Sequence, residues 1–518
     1  MSEEMLSMRN IVKVYPNGFM ANKGINFTVK KGEIHALLGE NGAGKTTLMN
    51  ILFGLETHEE GEIYIEGKKA EIHNPLEAIQ NGIGMVHQHF KLIPSLTIAE
   101  NVVLGMEPES RPGVFDLKEA AKITRETAEK YNMNIDPYAT IESVSVGVKQ
   151  QVEIIKILVR GARILVLDEP TAVLTPQETQ QLFKELKHLR DEGNTIIFIS
   201  HKLNEVEEIC DAFTVLRRGE LVGSKRVAES SASEMSAMMI GKNIDLEIHK
   251  EEPELSEERI RFEGVDYVTI FGKKKLEDIS FNVYGGEVMG IAAIEGNGQN
   301  EVAEILSGLL KYQNGRVLLG GEDIKEKSIR SLREAGMAYI SNDRYKFGCA
   351  GLAPIRDNLV ADRYFKTPVA KGFMIQNRVI NEIADGLIEE YDIRCKDKLE
   401  NASSLSGGNA QKLIVAREFT NHPRAIIANQ PTRGIDIGSS QMIRERLVSL
   451  SREQKVAVLL ISADLTELLE VSDKIIVLHN GKIAAYIPDI NQIDEFVLGE
   501  YMLGARCQTP EEVRCAIH

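Results

Sequence analysis

Between Leu6 and Val29 apolar and polar positions alternate, with Leu6, Met8, Ile11, Val12, Val14, Ile25, Phe27 and Val29 on the apolar beat. A period of two belongs to strands with one buried face, so the stretch predicts antiparallel strands. The run that follows, His35–Leu38, is apolar apart from His35 and predicts a fully buried strand. RILVLD (163–168) and Thr195–Ser200 have the same character. Between them the period changes. Thr175 predicts a helix cap, Pro176 takes the first helical position, and Glu178 closes a capping box. Leu182, Phe183, Leu186 and Leu189 then share one face until Gly193. Strands alternating with helices predict an α/β fold built on a parallel sheet.

Immediately after the first buried run stand Gly39, Glu40, Asn41, Gly42, Ala43, Gly44, Lys45, Thr46 and Thr47. They fit the phosphate-loop pattern G-x-x-x-x-G-K-[ST]. Glycines let the backbone turn its N–H groups toward a polyphosphate, and the helix starting near Lys45 adds its positive end. Lys45 suits the β- and γ-phosphates, and the Thr46 hydroxyl suits Mg²⁺. A glycine-rich turn before a surface helix is the plainer alternative. Asp168 and Glu169 close the strand RILVLD, at the end of a sheet where ligands of α/β folds bind. Asp168 suits the metal, and Glu169 suits a base that deprotonates an attacking water. Gln88 follows another short apolar strand and can bridge metal and water. His201, at the end of Thr195–Ser200, can reach a γ-phosphate. Tyr15, in VYPNG, can stack on an adenine ring. His87 and His89 lack a third ligand at useful spacing, so no metal site is expected there. LSGGN (405–409) places Ser406, Gly407 and Gly408 at a further helix start open to phosphate.

The chain also repeats itself. KGEIHALLGENGAGKTTLMNILFGL (31–55) recurs as GGEVMGIAAIEGNGQNEVAEILSGL (285–309), with Glu33 matching Glu287. ILVLDEPTAVLT (164–175) recurs as AIIANQPTRGID (425–436), and IIFISHKLNEV (196–206) as VLLISADLTEL (458–468). The period far exceeds that of solenoid repeats, so two tandem domains are expected, 1–245 and 246–518. The acidic stretch 244–259 marks the seam.

Composition narrows the function. A length of 518 residues is too great for one core, and a net charge of −16 argues against nucleic acid as the main partner. Five scattered cysteines form neither a disulfide framework nor a metal spacing, which fits a reducing compartment. No apolar run approaches the roughly 18 residues a membrane helix needs, so any membrane role is expected to be peripheral.

Taken together, Tyr15, GENGAGKTT, Gln88, LSGGN, LVLDEP and His201 resemble the nucleotide-binding subunits of ATP-binding cassette (ABC) transporters. The likeness covers nearly the whole chain. The tandem arrangement resembles the fused ATPases of simple-sugar and nucleoside importers, and GMVHQHFKLIPSLTIAENVVLG (84–105) and IEGNGQ (294–299) favour the nucleoside branch. The resemblance implies two P-loop NTPase domains of ABC type, each with an antiparallel β subdomain and a helical subdomain. It also implies ATP and Mg²⁺, with Thr46, Gln88 and Asp168 as metal residues. The partners it implies are two integral-membrane permease subunits, docked near 86–105 and 340–360, and an extracytoplasmic solute-binding protein. Its place would be the cytoplasmic face of the plasma membrane. In such proteins each ATP lies between the loop of one domain and the signature of the other.

The two copies have diverged in a sorted way. The second has Ala293 for Gly39, Gln299 for Lys45, Asn300 for Thr46, Asn342 for Gln88, Asn429 for Asp168, Gln430 for Glu169, Ala463 for His201 and Thr269 for Tyr15. The signature is intact in the second copy and altered to VSVGV (144–148) in the first. The resemblance therefore implies one competent site, completed across the interface by Ser406, Gly407 and Gly408, and one impaired site. Asp436, matching Thr175, would lie in the loop linking them. A soluble twin-cassette translation factor is the alternative, but its kind carries two intact sites and a long basic linker. Intact Lys45, Asp168, Glu169 and His201 argue against a purely regulatory protein, and drug exporters lack this pattern of tandem loss.

Overall fold

The computed structural model describes residues 4–16, 18–88, 90–200, 202–241, 248–509 and 511–513. The chain divides into two compact units, Met1–Asp245 and Leu246–His518.

In the first unit the alternating stretch forms strands Glu4–Val14 and Met20–Lys30, paired antiparallel, with Glu60–Ile65 on the other side and Lys68–Ala70 at the edge. Its inward face is Leu6, Met8, Ile11, Phe27 and Val29, all buried. The second sheet runs in the order Glu220–Arg226, Ala212–Arg217, Ile34–Leu38, Thr195–Ile199, Ile164–Asp168 and Ile83–Val86. All its pairs are parallel except the first. The three central strands are buried along their full length, as unbroken apolar runs require. Ile199 lies opposite Leu37 on one side and Asp168 on the other, so the three strands end together. The phosphate loop and the two carboxylates thereby leave the sheet along one edge.

The helix predicted from Thr175 spans Pro176–Asp191. Its capping box is complete: Glu178 N donates to Thr175 Oγ1 at 3.3 Å, and Thr175 N donates to Glu178 Oε2 at 3.1 Å. Leu182, Phe183, Leu186 and Leu189 are buried, and Phe183 meets Phe198 edge-on at 6.2 Å. A helical layer of Ile98–Val103, Leu117–Lys130 and Val146–Val159 packs together beside the sheet.

The second unit repeats this plan. Its antiparallel sheet joins Lys274–Tyr284, Glu258–Val268, Asn314–Leu319 and Glu322–Asp323. Its main sheet runs Met337–Ile340, Ala425–Asn429, Ala457–Ser462, Val288–Ala293, Lys474–His479 and Lys482–Ile487. The helical layer is Ile355–Leu359, Asn377–Glu390 and Gly407–Phe419. Glu33 and Glu287, matched by sequence, bond alike. Each carboxylate accepts the N–H three residues upstream, from Lys30 at 2.8 Å and Tyr284 at 2.7 Å. Thr175 and Asp436 likewise both cap the helix that follows.

The segment after Leu503 matches nothing in the first copy, and its described residues, up to Val513, are docked. Gln508 brackets Tyr486, accepting its N–H at 2.8 Å and donating to its carbonyl at 3.2 Å. Val513, 7% exposed, joins the core cluster of the antiparallel sheet.

One anchor has no counterpart in the first half. Glu418, at the end of Gly407–Phe419, is fully buried and bonds Arg333, Arg417 and the N–H of Tyr339. Burial alone would raise its pKa, but the two guanidinium groups hold it below the usual range. The matching residue of the first unit is Ile157, which needs no partner. Removing one member of a buried ionic set leaves the others uncompensated, so Glu418→Ala is expected to cost about 3–5 kcal/mol in denaturant titrations. A loss below about 1 kcal/mol would show that the arginines reach water easily and that the anchor is not needed.

Candidate functional site

The loop of the first unit is shaped by its glycines. Gly39, Gly42 and Gly44 have φ of 152°, 82° and 101°. A Cβ on Gly39 would lie 2.3 Å from the Leu216 carbonyl oxygen, and one on Gly44 2.5 Å from that of Ala21. Neither position admits a side chain. Helix Lys45–Leu52 starts directly on Gly44. The Lys45 ammonium, 7% exposed, donates to the carbonyl oxygens of Gly39 at 2.6 Å and Glu40 at 3.0 Å. Burial lowers its pKa, against the pull of Glu169, Asp168 and Glu40. Glu40 is half-buried, Ala43 is buried, and Asn41, Gly42 and Thr46 are exposed. The Tyr15 and Thr47 hydroxyls are 3.3 Å apart, and Asn22 donates to the Gly44 carbonyl at 3.2 Å. These two contacts tie the first hairpin to the loop and set Tyr15 at its rim.

At the end of the neighbouring strand Asp168 is 9% exposed. Burial, with Glu169 beside it, pushes its pKa up to about 6 against the opposing pull of Lys45. Glu169 stands in the left-handed region, φ 48°, with its N–H on the Ile199 carbonyl at 3.0 Å. Strained backbone of this kind fixes where a side chain points. Gln88 Nε2 donates to Glu169 Oε2 at 2.7 Å, which joins two residues 81 positions apart. His201 and His89 lie outside the described residues. A hard cation takes oxygen ligands, one or two of them carboxylates, the rest from phosphate and water. The buried Asp168 carboxylate, the exposed Thr46 hydroxyl and the Gln88 amide oxygen fit that need.

The second unit keeps the backbone and changes the chemistry. Ala293 prolongs its strand by one residue, paired with Leu478, where the first unit has already turned at Gly39. Gln299 replaces Lys45 and donates to the Ile294 carbonyl at 3.1 Å, the position matching Glu40. Gln430 retains the left-handed conformation of Glu169, φ 55°, and the same bond, its N–H on the Ile461 carbonyl at 2.8 Å. Asn300, Asn342 and Asn429, which stand for Thr46, Gln88 and Asp168, bond to one another. Asn300 Oδ1 accepts from Asn342 at 3.1 Å and from Asn429 at 3.0 Å. The buried oxygens Gln299 Oε1 and Asn429 Oδ1 have no hydrogen-bond partner among the described residues. Three neutral amides, two of them donating to the third, offer no anionic ligand to a divalent cation.

Both signature segments start helices. Ser406 caps Gly407–Phe419 and accepts from Asn409 Nδ2 at 2.9 Å. Ser145 caps Val146–Val159 and accepts from Val148 N at 3.4 Å. Sequence reading missed a second role of Glu178. Besides closing its capping box, it accepts the Gly147 N–H through Oε1 at 3.1 Å. No local pattern announces a contact across 31 positions.

The two expected docking regions border clefts. In the first unit a cavity of about 150 Å³ is lined by Phe53, Met85, His87, Glu153, Ile157 and Arg160. His87 lies edge-on to Phe53 at 6.3 Å, and burial lowers its pKa. In the second unit a wider one of about 650 Å³ is lined by Arg330, Tyr345, Phe347, Cys349, Asp362 and Phe365, among others. No helix of the described residues is long and apolar enough to cross a membrane.

A family model for ABC transporters matches residues 22–172 and 276–433. A guanosine import ATP-binding protein of Bacillus subtilis (strain 168) is 41% identical over 97% of this chain and 98% of its own length. A nucleoside import ATP-binding protein of Lactococcus lactis is 40% identical over 97% and 99%. A glucose import ATP-binding protein of Haloferax volcanii is 39% identical over 93% and 92%.

The raised pKa of Asp168 has a consequence for stability. With a folded value of about 6 above the ordinary 3.8, the native state binds the proton more readily than the unfolded chain. Its charge therefore opposes folding above about pH 6, and the penalty fades as pH falls toward 4. Asp168→Asn is expected to stabilise the ligand-free protein at pH 7.5 by on the order of 2–3 kcal/mol. The gain should shrink markedly by pH 5, as read from melting curves at both pH values. An equal gain at both would mean that the carboxylate titrates normally.

Proposed function

The chain belongs to the ABC transporter family, and from that membership we propose that it is the ATP-hydrolysing, energy-coupling subunit of an importer for nucleosides or simple sugars, with one hydrolytic site. Nucleosides are favoured because two of its most similar relatives carry guanosine and nucleoside import in their names. The observation that carries the one-site reading is the sorting of the two copies. The unit with the intact loop, Lys45, Asp168 and Glu169 has the altered signature, and the unit with the altered loop has the intact one. Independent decay would not be expected to divide in this way.

In this reading the N–H groups of Gly39–Thr47 and the Lys45 ammonium hold the β- and γ-phosphates of ATP, and Tyr15 stacks on the base. Ser406, Gly407 and Gly408 complete the site when the halves close. Thr46, Asp168 and Gln88 would hold Mg²⁺, which neutralises phosphate charge. Glu169, aimed by its strained backbone and by Gln88, takes the proton of the attacking water. His201 contacts the γ-phosphate. ATP favours closure because it gains contacts that exist only in the closed state. Closure is passed to two permease subunits seated in the clefts near 86–105 and 340–360, which receive their solute from an extracytoplasmic binding protein. The chain works at the cytoplasmic face of the membrane. The second loop, lacking lysine and carboxylate, binds ATP weakly and does not hydrolyse it.

ATP turnover by the chain reconstituted with its permease tests this. Glu169→Gln is expected to lower kcat by at least about 10²–10⁴-fold. Gln430→Glu should add little, since Gln299, Asn429 and Ala463 remain. Substantial turnover by Glu169→Gln would place hydrolysis elsewhere and overturn the one-site reading.

A further inference from the structure

The two signature segments differ in charge as well as in sequence. In the first unit Glu178 Oε1 accepts from the Gly147 N–H at 3.1 Å and from the Ser145 hydroxyl at 3.4 Å. A carboxylate thus fills the start of that helix, where a phosphate would otherwise find its donors. In the second unit the matching residue is Ser439, whose hydroxyl donates to Asp436 at 2.7 Å. Among the described residues no carboxylate accepts from the N–H of Gly407 or Gly408.

Arg344 stands there instead. Strand register aligns Ile340 beside Ala428 just as Val86 lies beside Leu167, so Arg344 takes the place of Phe90. Its Nε donates to Gln411 Oε1 at 2.9 Å, and Gln411 Nε2 donates to the Pro431 carbonyl at 2.8 Å. That chain of bonds pins the guanidinium over the signature. A Cβ on Gly407 would lie 2.8 Å from Arg344 Nη1, and one on Gly434 3.4 Å from Nη2. The two glycines leave the space the guanidinium occupies.

No carboxylate pairs with Arg344 among the described residues. Burial lowers its pKa, Tyr345 beside it pulls the other way, and Arg433, which replaces Ala172, adds a weaker like-charge repulsion. A half-buried guanidinium without a carboxylate partner is costly unless an anion arrives. The Nη1 and Nη2 groups make a planar fork suited to two phosphate oxygens.

We propose that Arg344 is a phosphate-contacting residue of the hydrolytic site, reaching the γ-phosphate of the ATP held by Lys45 when the second unit's signature closes on it. This rests on the cross-interface reading of that site. As the water oxygen bonds to the γ-phosphorus, the bridging oxygen leaves with ADP and the proton of the water passes to Glu169. Arg344 stabilises the charge that builds on the γ-oxygens in between. The first unit presents Glu178 and hydrophobic Phe90 at the matching places, so its signature offers a γ-phosphate repulsion instead.

The test uses the full chain with a fluorophore pair, one on each unit, in the Glu169→Gln background. Distance is followed as Mg-ATP is added, and kcat is measured separately with Glu169 intact. Arg344→Ala is expected to raise the ATP concentration for half-closure about tenfold and to lower kcat about 10–100-fold. Arg344→Lys should recover part of both, because it restores the charge without the fork. Half-closure and kcat within twofold of the parent would overturn the proposal, provided Ser406→Glu in the same assay blocks closure. If Ser406→Glu is also silent, the cross-interface site fails and the proposal with it. A supporting role through Gln411 alone predicts that Gln411→Leu reproduces the whole defect and that Arg344→Lys recovers nothing, which would equally overturn it. Should Arg344→Ala not fold, Arg344→Gln and Arg344→Lys are compared on the same terms.

Discussion

The chemistry of each unit depends on the in-register parallel pairing of its central strands. Because Ile199 faces both Leu37 and Asp168, the strand that leads into the phosphate loop and the strand that delivers the carboxylates end at one level. Everything reactive hangs from that edge. The loop needs glycines there because Leu216 and Ala21 crowd its backbone. Asp168 is buried there at the end of its strand, with Ile199 as its register partner. Glu169 is turned outward there by a left-handed residue that the next strand's carbonyl holds in place. Candidate catalytic groups far apart in sequence become neighbours through strand pairing that has no chemistry of its own.

The second unit shows what that scaffold does without the charges. Its register is the same, Ile461 facing Ile291 and Asn429, and its turn residue keeps the same backbone. Where the first unit has a lysine and two carboxylates, the second has amides of similar size. The substitutions are close to isosteric, which explains how they coexist with an undisturbed core. An asparagine can both donate and accept, so Asn342 and Asn429 both donate to Asn300, and internal hydrogen bonds stand where the first unit has its proposed metal ligands. The charges have moved to the other functional surface of that unit, where Arg344 and Arg433 flank the signature.

Much of this was legible in the sequence because it rests on local pattern. The capping box at Thr175, the buried run before Asp168 and the loop at Gly39 each lie within a few residues and follow from period, cap and glycine. The duplication could be read because it preserved spacing. What escaped were contacts between distant segments. Gln88 meets Glu169 across 81 positions, and Glu178 meets Gly147 across 31. The tail gave no period to read, since its hold on Tyr486 uses one glutamine side chain rather than a strand pattern. Nothing local marks Glu418, and only the fold brings Arg333 to it.

The left-handed backbone at Gln430 has a different kind of consequence. In the first unit the same conformation aims Glu169, and a cost of about 1 kcal/mol for holding an L-residue there fits its proposed role as the base. In the second unit the cost remains while no base is being aimed. Gln430 is therefore a thermodynamic reserve. It is a position where glycine, or asparagine with its tolerance of this conformation, could relax the backbone without taking a catalytic carboxylate away. The turn is held by the loop around it, with the Gln430 N–H on the Ile461 carbonyl, so that in the proposed one-site reading the second half serves as a frame.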